Sequence, residues 1–142
     1  MNRETMNEAP NVKDPTTPYA LIGGDAVVRA LVKRFYALMD TLPEAYAIRK
    51  LHPADLSGSE DKLYMFLSGW LGGPQLYVEK FGHPFLRKRH LPFPIGSDEA
   101  AQWMLCMRQA MAEYITDEAL RAKLDKALHD LALHMRNQPA VP

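Results

Sequence analysis

The stretch GGDAVVRALVKRFYALM, residues 23–39, carries the reading of the fold. Beyond the glycine pair, Val28, Leu31, Val32, Phe35, Tyr36 and Met39 recur at steps of three and four, which stacks them on one face of an α-helix. Asp25 is expected to cap that helix, because a short acidic side chain can accept from its first free N–H groups. Thr41 to Pro43 ends it, and a turn through Tyr46 and Ile48 leads to the His52-Pro53 corner, where the proline disfavours helix at His52. A second helix is expected from Ser57 or Ser59, with Leu63, Met65, Phe66, Leu67 and Trp70 as its apolar set, and Gly72-Gly73-Pro74 terminates it. Residues 75–81 and 85–90 read as two short helical pieces separated by Gly82 and Pro84. Pro92 and Pro94 then hold the chain out of helix. Ser97 is expected to cap a long helix to about Ile115, with Trp103, Met104, Met107 and Met111 turned inward. A last helix runs from Asp117 to Met135 on Leu120, Leu124, Leu128 and Leu131. No segment alternates with period two, so the class is all-α.

A chain of 142 residues suits one domain, since two would each be short of core. Residues 1–17 and 137–142 hold little to bury and are expected to be a mobile extension and a mobile tail around a domain over 18–136. Lys and Arg number 17 and Asp and Glu 17, and this zero net charge argues against nucleic acid or an anionic membrane as partner. With no long apolar run and no apolar leader, a cytoplasmic protein is the expectation. One cysteine excludes an internal disulfide framework and a cysteine-rich metal site.

Few residues suggest chemistry. Phosphate-binding glycine loops, HExxH zinc helices, acidic calcium loops and nucleophile elbows are absent from the sequence. Cys106, among Trp103, Met104 and Met107, reads as a buried inert thiol, and the methionines as core filling. His129 and His134 are five apart and do not share a helix face as a ligand pair would. His83 reads as a turn residue, and a structural role is favoured for His52. His90 ends the run LRKRH and has Leu86, Leu91, Phe93 and Ile95 around it, with cations on the preceding turn. By itself this favours a packed core histidine. The alternative is the single axial ligand of a flat, apolar, doubly anionic cofactor, and haem is the common one that needs only one protein ligand.

Several segments, taken in order, decide between these readings. They are Arg34-Phe35-Tyr36, LSGWLGGP over 67–74, FGHP over 81–84, RHLPFPI over 89–95 and WMLCM over 103–107. With them, from about Pro18 to Arg136, the chain resembles the truncated haemoglobins, in the second of that family's three main groups. The resemblance implies a two-over-two helical sandwich around iron protoporphyrin IX (haem b), with His90 as the iron ligand. It implies a distal side lined by Tyr36, His52, Ser59, Leu63, Phe66 and Trp103, and apolar contact from Phe66, Met107, Phe93 and Ile95. Lys62, Arg89 and the Tyr77 hydroxyl are expected partners of the propionates, although solvated charges and a packing tyrosine read as well. Two departures matter: the corner tyrosine of some members is His52 here, and the usual distal-histidine position holds only Ser59.

The function implied is reversible binding of dioxygen and other diatomic ligands at one open axial position. Tyr36 and Trp103 are expected to donate hydrogen bonds there, and His52 can donate as well in the tautomer that carries its proton toward the ligand, which sequence does not fix. Two such donors at about 1.5 kcal/mol each would slow oxygen loss roughly a hundredfold, which suits redox chemistry better than carriage. Oxidation of nitric oxide or a peroxidase-like activity is then expected, fed by a separate reductase, since the chain has no flavin or nicotinamide motif. The other readings are a non-catalytic gas sensor or scavenger acting through a partner and, more weakly, a haem-free helical interaction module. Either a monomer or a homodimer is compatible.

Overall fold

The computed structural model describes residues 14–139. Most of the expected N-terminal extension (1–13) and the end of the expected tail (140–142) lie outside them. Among the described residues there is no strand. The helices are α1 (Pro18–Ile22), α2 (Asp25–Thr41), α3 (Tyr46–Arg49), α4 (Ser57–Trp70), α5 (Leu76–Phe81), α6 (Leu86–His90), α7 (Ser97–Tyr114) and α8 (Glu118–His134). A 3-10 turn over Pro43–Ala45 joins α2 to α3. None of these helices is long and apolar enough to cross a membrane.

The core is built on the face that the 23–39 spacing marks out. Val28, Val32, Phe35 and Met39 of α2 are buried against Met104, Met107 and Met111 of α7, while α2 also packs on α4 and α7 on α8. Each such side chain contributes about 1.5–3 kcal/mol on burial. Cys106 is buried among them, and loss of water around the thiol pushes it up to about 11, an inert setting.

Three expectations are corrected at helix ends. Asp25 is the first residue of α2 and not its cap; Gly24 holds the cap position with φ 76°, which a side chain would strain. The Asp25 carboxylate instead accepts from Arg29 Nε at 2.9 Å and from the Tyr64 hydroxyl. Ser97 likewise begins α7 behind a Gly96 cap, whose N–H donates to Glu99 Oε1 at 2.8 Å. Thr17, assigned by composition to the mobile extension, caps α1: its hydroxyl accepts from Ala20 N at 3.1 Å, and Pro18 follows as the first helical residue. Tyr19 N donates to Leu71 O at 2.9 Å, and a Cβ on Gly73 would collide with the Tyr19 ring, which explains a glycine there.

The tail boundary also moves. Asn137 bridges the irregular segment after α6: Oδ1 accepts from Ile95 N at 3.0 Å, and Nδ2 donates to Phe93 O at 2.8 Å and His90 O at 3.3 Å. Arg87 Nη1 donates to His134 O at 2.8 Å and Arg136 O at 2.7 Å, closing the same junction. Composition could not show this, because the bonds run to a segment more than forty residues away. Replacing Asn137 with alanine leaves the Ile95 N–H and two carbonyls without this partner. A loss of about 1–3 kcal/mol is expected in urea denaturation, and an unchanged midpoint would refute the bridging role.

Candidate functional site

A cavity of about 520 Å³ opens between the end of α2, the corner after α3, α4, the α5–α6 segment and the first turns of α7. His90 stands at the end of α6. Its Nδ1 lies 2.6 Å from the carbonyl of Leu86, one turn earlier. A carbonyl oxygen can only accept, so Nδ1 carries a proton, and in the neutral ring the lone pair is left to Nε2. The segment leading in is held by His83, whose Nδ1 accepts from Phe85 N at 3.0 Å while Phe85 takes a left-handed φ of 46°. His83 is thus a turn residue that holds a strained start to α6.

Across the cavity, Tyr36 is 6% exposed and its hydroxyl has no hydrogen-bond partner among the described residues. Burial, with the nearby Glu60 carboxylate adding to it, pushes the phenol well above its ordinary range, so it stays a donor. Trp103 enters from α7, and its indole N–H likewise has no partner among the described residues. The two are held by one side chain: the Phe35 ring lies 4.9 Å from that of Tyr36 and 5.1 Å from that of Trp103. His52 lines the corner with its ring 5.8 Å from Tyr36 at 72°. Its Nδ1 is 2.9 Å from the Ile48 carbonyl, and burial lowers its pKa below the ordinary imidazole range, which favours the neutral ring.

Ser59, Lys62, Leu63 and Phe66 line the cavity from α4, Tyr77 from α5, and Arg89, Phe93 and Ile95 from the proximal segment. Tyr77 and Phe66 meet edge to face at 6.5 Å. Met107, expected against the cofactor, is absent from the wall; it is fully buried in the core. The spacing was right, since Met107 shares a face with Trp103, but the cavity spans only Glu99 to Trp103, and one turn further α7 is already covered by its neighbours. Sequence reasoning missed Ile48, Leu51 and Pro53 at the corner, Leu86, Glu99, Ala100, and Ala132 and Met135 at the far end of the chain. Leu86 was findable as the residue one turn before His90. Ala132 and Met135 were not, because nothing local says that α8 reaches the cavity.

The donor set indicates what kind of group the cavity fits. Among the described residues no cluster of three or more His, Cys, Asp or Glu could cage a bare metal ion. An imidazole with a fixed tautomer at the end of α6, a second at the corner after α3, apolar walls and two unpaired donors suit a flat macrocycle that brings its own metal. Buried polar groups are almost always partnered, so the free hydroxyl of the buried Tyr36 calls for a ligand, and the half-buried Trp103 offers its N–H to the same cavity. Glu99, a carboxylate in the wall, is already engaged by Gly96 N. Lys62 and Arg89 lie at the wall and form no ion pair among the described residues, leaving them for an anionic edge. The residues fit a haem.

A family model described as bacterial-like globin matches residues 17–137. A group 2 truncated haemoglobin of Bacillus subtilis is 40% identical over 121 residues, 85% of this chain and 89% of that protein. The solved structure of a group II 2-on-2 haemoglobin from the plant pathogen Agrobacterium tumefaciens superposes with a TM-score of 0.87 at 55% identity, covering 91% of this chain and all of that one. A cold-adapted truncated haemoglobin from the Antarctic bacterium Pseudoalteromonas haloplanktis gives 0.85 at 44% identity, over 87% of this chain and all of that one.

Proposed function

The chain belongs to the bacterial-like globin family and has its two-over-two fold, and from that premise we propose that the cavity holds haem b through His90 and binds dioxygen and other diatomic ligands on the opposite face. The ligand is then used and not merely carried, in oxidising nitric oxide to nitrate or in reducing peroxide. The observation that supports this most is the His90 Nδ1–Leu86 bond facing two unpaired donors across one apolar cavity.

Haem supplies the iron that binds the ligand and the electrons exchanged with it; the rest falls to the chain. The carbonyl of Leu86 fixes the tautomer and orientation of His90, the kind of supporting bond whose loss weakens metal binding by about 10–100-fold. Tyr36 and Trp103 direct their hydrogens to the ligand, Leu63 and Phe66 exclude water, and Lys62 and Arg89 pair with the two carboxylates of the macrocycle. The reductant is an acidic protein. Beside Arg89, residues 80–97 carry Lys80, Arg87 and Lys88 and no acidic side chain, in a chain of zero net charge, and opposed charges raise encounter rates.

Mixing the oxygenated ferrous protein with nitric oxide tests the redox role: nitrate and a ferric spectrum are expected, and neither appearing would overturn it. In the same preparation Trp103→Phe keeps the bulk and removes one donor. A bond to a charge-bearing ligand is worth about 1.5 kcal/mol or more, so oxygen dissociation should quicken about tenfold or more. An unchanged rate would remove Trp103 from the ligand's contacts.

A further inference from the structure

His52 and His90 are held in the same way. Each offers Nδ1 to the carbonyl four residues earlier, Ile48 at 2.9 Å and Leu86 at 2.6 Å, and each lines the same cavity. His52 therefore takes the same tautomer as His90: the proton sits on Nδ1, and Nε2 carries a lone pair with no hydrogen-bond partner among the described residues. This fixes the tautomer that the sequence left open. A neutral His52 in this tautomer has no hydrogen to give to a ligand; it can only accept one.

The neighbours keep it that way. Burial is the largest influence against protonation, and the Arg49 guanidinium and His90 act in the same direction, partly offset by the bond to Ile48. The Tyr36 phenol is held protonated, the Trp103 indole donates only, and Glu99 is bound to the backbone of Gly96. Ser59 and Glu99 also line the cavity, and His52 is the imidazole among them that stands beside the Tyr36 donor, the two rings edge to face 5.8 Å apart.

We propose that His52 is the proton acceptor of this cavity, taking the proton of a protic ligand as that ligand binds as its anion. For hydrogen peroxide, the O–H bond of the binding oxygen breaks, its electron pair stays on that oxygen, and the proton passes to His52 Nε2. For hydrogen cyanide the C–H bond breaks in the same sense. Carbon monoxide has no proton to lose and gains nothing from His52. The site thus favours ligands that arrive protonated, which deepens the peroxide branch of the proposed function and rests on its haem assignment.

The test compares ligand association in the holoprotein at one neutral pH, followed at the Soret band, with hydrogen cyanide as the protic probe for the ferric form and carbon monoxide as the aprotic probe for the ferrous form. Positioned proton transfer is worth about 10²–10⁴-fold, so His52→Leu should slow cyanide association at least about a hundredfold and leave carbon monoxide association unchanged. His52→Gln, which keeps a polar side chain but takes up no proton, should slow cyanide as well. Cyanide binding at the wild-type rate in both variants overturns the proposal, and so does an equal slowing of both probes, which would mark a merely structural role. A wild-type protein without a Soret band would instead mark failure of the haem assignment.

Discussion

Replacing His90 with glycine should strip the protein of its haem, and added imidazole should bring the Soret band back. The reasoning is geometric. Among the residues facing the cavity, His90 is the one placed at the end of a proximal helix with its Nε2 lone pair free and with its Nδ1 and its carbonyl both tied, to Leu86 and Asn137. Loss of an outer bond to a metal ligand costs about 10–100-fold in affinity, so loss of the ligating atom itself should cost more than about a hundredfold. Glycine at the end of a five-residue helix costs about 0.5–1 kcal/mol and the lost bond to Leu86 about 0.5–1.5 kcal/mol more, against the roughly 5–15 kcal/mol that holds such a domain together, so unfolding should not mimic haem loss. Transfer of haem to an acceptor globin measures the effect. A variant that keeps its colour as long as the parent would remove His90 as the iron ligand.

The second large effect lies one residue before the distal tyrosine. Phe35 is fully buried and its ring supports both Tyr36 and Trp103. Truncation to alanine should cost about 3–5 kcal/mol through lost burial and the cavity left behind. That is a large share of the roughly 5–15 kcal/mol that holds such a domain together. Its neighbour Arg34 makes a natural control. Its ion pair with Glu113 is 2.9 Å long, but the side chains are 37% and 40% exposed. Solvent screens such a pair to about 0–1 kcal/mol, so Arg34→Ala should move the urea midpoint far less. Because Phe35→Ala also frees the two donors, it should speed oxygen release in whatever fraction remains folded. A stability loss no greater than that of Arg34→Ala would refute the central place given to Phe35.

The tertiary structure also bears on His52. From sequence it was a corner residue, then by resemblance a distal residue whose tautomer stayed open. Only the Ile48 carbonyl at 2.9 Å assigns the proton to Nδ1 and leaves an acceptor facing the cavity. Residue type told which atoms could act, and the direction in which the proton would move came from a backbone oxygen four residues away.

What the sequence determined by itself was whatever depends on period and on punctuation. Apolar steps of three and four placed α2, α4, α7 and α8 to within about a residue or two at each end, the usual uncertainty of helix boundaries. Gly72, Gly82, Pro84, Pro92 and Pro94 marked the breaks, because backbone freedom and a missing N–H act locally. The run from Arg89 to Ile95 and the other quoted segments pointed to His90, Tyr36 and Trp103. What only the tertiary structure decided was whatever depends on neighbours distant in sequence. The caps went to Gly24 and Gly96 and not to Asp25 and Ser97, since chain direction at a turn outranks side-chain preference. Met107 fell to the core because α7 passes beyond the cavity after one turn. Asn137 left the tail for the proximal junction, and Ala132 and Met135 joined the wall, because close packing brings the chain's end against a site that its local pattern does not describe.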